Sequence, residues 1–112
     1  MAIDRLPLAA LDSAAIDHES VSSVCTEIAE FLGEPISEKK LFSVFRALEA
    51  QGLLVAYRAG SAGLALVPTQ SRESDVPSEV WFRVSAEGRE VLNREWERVF
   101  GPRGNERRRA TL

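Results

Sequence analysis

Apolar residues fall at helical spacing over four stretches of this chain, and two shorter stretches alternate instead. The first helical stretch covers residues 6–16. There Leu8, Leu11 and Ala15 recur behind Pro7, whose missing N–H is not needed in a first turn. The second places Val21, Val24, Cys25, Ile28, Phe31 and Leu32 in one stripe, with Ser23, Glu27 and Glu30 on the other face. Asp17 is the expected N-cap of this helix, and Gly33 with Pro35 should end it. Ser37 can cap the third. At about 100° per residue, Leu41, Val44, Phe45 and Leu48 gather on one side of that helix. Lys39, Ser43, Arg46 and Ala50 gather on the opposite side, with Lys40, Phe42 and Ala47 on the flanks. Gly52 is its stop.

Residues 53–58 alternate. Leu53, Val55 and Tyr57 point one way, and Leu54, Ala56 and Arg58 the other. Leu53 is expected in the core beside the third helix. Residues 59–63, "AGSAG", read as a turn and 64–67 as a short strand. Residues 68–78 are polar and bounded by prolines, which predicts a mobile loop at the tip of a hairpin. A second alternating strand over 79–84 sets Val80, Phe82 and Val84 on one face and Trp81 and Arg83 on the other. Ser85 can cap a last helix whose apolar set is Val91, Leu92, Trp96, Val99 and Phe100. Residues 101–112 break that helix and are expected to be a disordered, arginine-rich tail. No internal repeat is present.

With 112 residues, 45% of them hydrophobic, the chain suits one compact domain with a buried core. Its net charge of −3 hides a strong asymmetry. Residues 1–36 carry seven acidic side chains against one arginine. Residues 37–52 carry three basic and two acidic side chains, and the last twelve residues four arginines and one glutamate. Such a distribution bears on partners rather than on fold. There is no signal-like apolar core near the start and no long apolar run, so a cytoplasmic location without a membrane span is expected.

Enzyme chemistry finds little to work with. His18 is the only histidine and Cys25 the only cysteine, and Cys25 belongs to an apolar stripe. No phosphate-cradling Gly-rich loop and no nucleophile elbow occurs. The expectation is a protein that is not an enzyme and needs no cofactor or metal.

Residues 27–54, "EIAEFLGEPISEKKLFSVFRALEAQGLL", resemble the helix-turn-helix core of bacterial winged-helix regulators. Ile28, Ala29, Leu32 and Gly33 match an Ile/Leu-Ala-x-x-Leu-Gly second helix, and Leu48, Glu49, Gly52, Leu53 and Leu54 match the usual close of the third. Residues 81–92, "WFRVSAEGREVL", are similar to the segment that closes the wing and opens the C-terminal helix in PadR-like and MarR-like repressors. Ser85, Gly88 and Leu92 carry that match. The resemblance implies a mostly α winged helix-turn-helix domain over 1–100, with a three-helix core, a small β-hairpin wing and a dimerisation helix at about 85–100. It also implies a dimeric transcriptional regulator, expected to act as a repressor on double-stranded DNA.

In such a protein the third helix enters the major groove, with its N-terminal residues near base edges. Lys39, Ser43 and Arg46 form the expected groove-facing set, and Lys40, Arg58 and Arg72 could line up along phosphates. Val91, Leu92, Trp96, Val99 and Phe100 are the expected dimer seam. Two rivals stand beside this reading. One is a winged helix used only as a protein-interaction module, favoured by the acidic first third. The other is a nucleic-acid binder that does not control transcription.

Overall fold

Gly33 and Gly52 stand where the helical periodicity breaks, and both adopt left-handed backbone, with φ of 71° and 78°. A computed structural model describes residues 3–61 and 65–101. Helix α1 is Arg5–Ser13, strand β1 Glu19–Ser20, helix α2 Val21–Leu32 and helix α3 Glu38–Ala50. Strands β2 (Leu54–Ala59) and β3 (Leu66–Thr69) follow. A 3-10 turn at Pro77–Glu79, strand β4 (Trp81–Val84) and helix α4 (Ala86–Phe100) complete the order. The described residues thus form a mixed α/β domain of four helices and a four-stranded antiparallel sheet, in the order β1-β4-β2-β3.

Serines start three of the helices. Ser20, Ser37 and Ser85 accept from the backbone N–H of Ser23, Lys40 and Gly88, at 3.2, 3.1 and 3.0 Å. Each relieves a donor that has no partner in a first turn. The glycine stops work through paired closing bonds. Leu53 N–H reaches Leu48 C=O and Gly52 N–H reaches Glu49 C=O, both at 2.9 Å. Gly33 and Glu34 close α2 on Glu30 and Ala29 in the same way.

The core lies between the helices and one face of the sheet. Leu8, Leu11, Val24, Ile28, Leu41, Phe45 and Leu48 meet Leu54, Ala56 and Phe82 there, all buried. Phe45 and Phe82 pack edge to face with ring centroids 5.1 Å apart.

Several expectations are corrected. Helix α1 ends at Ser13, and Ile16 is 57% exposed. Asp17 does not cap α2; Ser20 does, because residues 19–20 pair with Phe82 and Trp81 as a strand. The β part is therefore a four-stranded sheet, larger than a hairpin wing. The face of β2 turned to the core is the one holding Leu54 and Ala56, whereas Leu53, Val55 and Tyr57 are half-buried. Leu53 is occupied in closing α3, so the inward alternation starts one residue later. On α3, Phe42 is buried and Val44 only half-buried. The short strand expected at 64–67 runs Leu66–Thr69, and residues 62–64 lie outside the described residues. So do residues 102–112 of the expected disordered tail.

Residues 70–80 are not the tip of a hairpin. Strands β3 and β4 flank β2 on opposite edges, and both run antiparallel to it. The chain between them must cross from one edge of β2 to the other. It does so on the helical side, where its 3-10 turn packs against α2, α3 and β1.

Candidate nucleic-acid interface

The solvent side of α3 carries Lys39, Lys40, Ser43, Ala47 and Ala50, all exposed. This arc holds two lysines and no carboxylate. The helix does contain two glutamates, and each accepts from a serine of another element, although Glu38 is itself exposed. Glu38 accepts a hydrogen bond from Ser22 Oγ on α2. Glu49 accepts from Ser71 N–H at 3.1 Å and from Ser71 Oγ–H. The acid of α3 is engaged in tertiary contacts at its two ends; the outward face is basic near its N-terminal end and small-residued beyond, at Ser43, Ala47 and Ala50.

Of the residues expected to face a groove, Lys39 and Ser43 lie in this arc. Ser43 Oγ donates to Lys39 C=O at 3.2 Å, so its hydroxyl proton is directed back into the helix. Arg46 stands at the margin and is half-buried. Its Nε is buried and has no hydrogen-bond partner among the described residues. Lys40, expected on a flank, is exposed.

Arg58 belongs to a different arrangement. Its guanidinium pairs with the Asp75 carboxylate across the crossover, with the arginine side chain 34% exposed. Partial burial of Asp75 opposes ionisation, but the Arg72 N–H and the Arg58 guanidinium outweigh it and hold the carboxyl below its usual value. Arg58 is thus a fastening of the loop, and its charge is largely answered within the chain. Arg72 is exposed beside it. Its own N–H donates to Asp75 Oδ2 at 2.7 Å, and Asp75 N–H returns to Arg72 C=O at 3.0 Å. The loop expected to be mobile is therefore tied at two carboxylates, and Ser71 within it is 5% exposed.

The last helix is also placed differently from expectation. Leu92 and Trp96 are buried in the chain's own core, at 0% and 1% exposure, so neither is free to meet a partner. Phe31 of α2 stacks on Trp96 at 5.7 Å, and Trp96 and Phe100 sit at 4.4 Å. The three small helices and the sheet do cover these rings, because α1 runs alongside α4 and closes the core from that side. Val91, Val99 and Phe100 remain half-buried. Between α1, α3 and α4 lies an open groove lined mainly by Ile3, Pro7, Val44, Leu48, Leu53 and Val91.

Sequence reasoning missed Ser22, Glu49, Ser71 and Asp75 as residues that shape this surface. Glu49 stood in a recognisable motif, but its partner is 22 residues away and nothing local announces it. His18 is half-buried and packs in a T-shaped arrangement with Tyr57, with ring centroids 4.4 Å apart. Among the described residues no helix is long and apolar enough to cross a membrane. No known family model matches the chain, and no curated protein sequence matches it either.

Proposed function

We propose that this chain is a winged helix-turn-helix protein that binds duplex DNA by laying α3 in the major groove, and that it regulates transcription in doing so. The element order supports the reading. Helices α2 and α3 are joined by a short turn, and α3 passes directly into β2 and its neighbours. The observation that carries it is an outward arc of α3 that holds two lysines, with Glu38 and Glu49 of the same helix each accepting from a serine of another element, in a chain that is acidic as a whole. Phosphate binding requires a local basic footprint, not a basic protein. Lys39 and Lys40 supply charge near the N-terminal end of α3, where groove-reading residues sit. Ala47 and Ala50 allow close approach. The terminal nitrogens of Arg46 suit the two acceptors of guanine.

Selection from random duplex DNA, followed by mobility shifts at about 50 and about 200 mM salt, tests this. Sequence-selective binding that weakens with salt, and that Lys39→Ala and Arg46→Ala reduce, is the expected result. Absence of binding at the lower salt would sink the proposal.

The apolar groove between α1, α3 and α4 favours one second reading, a winged helix that docks a protein through half-buried Val44, Leu53 and Val91. On that reading Val44→Asp abolishes partner capture, and Lys39→Ala leaves it intact. As to self-association, a seam along α4 would have to be built from Val91, Val99 and Phe100, since Leu92 and Trp96 are already used.

A further inference from the structure

We infer that Arg72 is a phosphate-contacting residue held beside α3, and that Glu49 and Asp75 are the positioning residues that hold it. The inference rests on the DNA-binding reading of α3 and extends it to the crossover. Two successive backbone N–H groups, of Ser71 and Arg72, donate to two carboxylates. One is Glu49 on α3 and the other is Asp75, itself paired with Arg58 on β2. The peptide that presents Arg72 is therefore fixed to α3 on one side and to the sheet on the other. Ser71 Oγ adds a further bond to Glu49, and Ser71 is buried, so this link is shielded from water.

The side chain of Arg72 is treated differently. It is exposed, and its guanidinium makes no hydrogen bond or ion pair in the described structure, whereas Arg58, the other arginine at this clasp, is engaged. An arginine free at its tip and fixed at its backbone loses less freedom on meeting a phosphate than one on a loose loop. Its attachment through Ser71 and Glu49 ties it to the C-terminal end of α3; with α3 in the groove, the phosphates within its reach are those beside that end. Glu73 is its exposed neighbour and opposes it. The charge of Glu49 faces Ser71, whereas that of Asp75 faces Arg58 and the Arg72 N–H and also attracts the Arg72 guanidinium.

The experiment measures affinity for the selected duplex against salt concentration, with amide exchange of residues 71 and 72 as a second readout. Arg72→Ala should weaken binding several-fold and reduce the salt slope by about 1. Glu73→Gln should strengthen binding. Glu49→Ala should speed exchange at both amides and reproduce the Arg72→Ala loss, yet cost nothing further when Arg72 is already alanine. Glu49→Gln, which keeps an acceptor for Ser71, should restore most of the affinity. Should Glu49→Ala not fold, Ser71→Ala takes its place in the cycle. If the unsubstituted protein binds DNA but Arg72→Ala leaves affinity and slope unchanged, the inference is overturned and the α3 reading stands. It is likewise overturned if the Glu49 effect persists without Arg72. If the unsubstituted protein binds no DNA, the α3 reading falls, and this inference with it.

Discussion

Gly88 lies so close to the backbone of Leu53 that a β carbon built on it would stand 2.0 Å from the Leu53 carbonyl oxygen and 2.7 Å from Val84 Cγ2. The same carbonyl accepts the Ser85 N–H at 3.0 Å, and Ser85 Oγ donates to Gly52 C=O at 2.6 Å. The start of α4 is thereby docked on the end of α3. Because the obstructing atom is backbone, it cannot swing aside. Gly88→Ala is expected to destabilise the fold by about 3 kcal/mol, the upper end of overpacking costs. Urea denaturation of the variant measures this. A change below about 0.5 kcal/mol, the scale of an ordinary surface substitution, would contradict the docking.

Trp96 is expected to behave as a core residue. Trp96→Ala removes a ring stacked on Phe31 and packed against Phe100, and should cost about 3–5 kcal/mol of unfolding free energy. Denaturation and sedimentation of the same variant separate packing from association. Were stability to hold while a larger species disappeared, α4 would be a partner surface through this residue.

Cys25 should be slow to react while the chain is folded. Its thiol donates to Ile36 C=O at 3.2 Å, and burial, helped by the nearby Glu38 charge, pushes its pKa above the ordinary value. The reactive thiolate is therefore scarce at pH 8. Iodoacetamide labelling should proceed slowly in buffer and fast in denaturant, and equal rates would place Cys25 outside the core.

The Asp75 latch makes a signed prediction about acid. Its carboxyl titrates below the ordinary 3.8 in the folded chain. The linked stability is fully present above that value and is lost as pH falls below it through the folded pKa. Unfolding free energy should therefore drop on acidification below about pH 4. In Asp75→Asn that drop should be shallower, from a lower starting point at neutral pH. Parallel acid limbs for the two proteins would show that the latch contributes nothing to stability.

The outward face of α3 is legible in outline from the sequence. Lys39 and Ser43 follow from helical geometry about a known apolar stripe, and they stand where that geometry puts them. Arg46, placed by the same rule, is half-buried, with its Nε shut off from solvent. The crossover itself could not be read. A polar stretch between prolines looks the same whether it waves in solvent or is pinned by carboxylates.

What the sequence determined by itself was the local grammar: Ser37 and Ser85 as caps, Gly33 and Gly52 as stops, and the inward faces of α2 and β4. Each depends on bonds or periodicities spanning a few residues, so the chain carries them wherever it goes. Only the tertiary structure decided that residues 19–20 pair with β4, that Leu54 rather than Leu53 turns inward, and that Glu49 reaches Ser71. It alone decided that Leu92 and Trp96 close this chain's own core. Those outcomes depend on surfaces that meet only after distant segments fold together, and an apolar side chain is the same whether the surface covering it comes from its own chain or another.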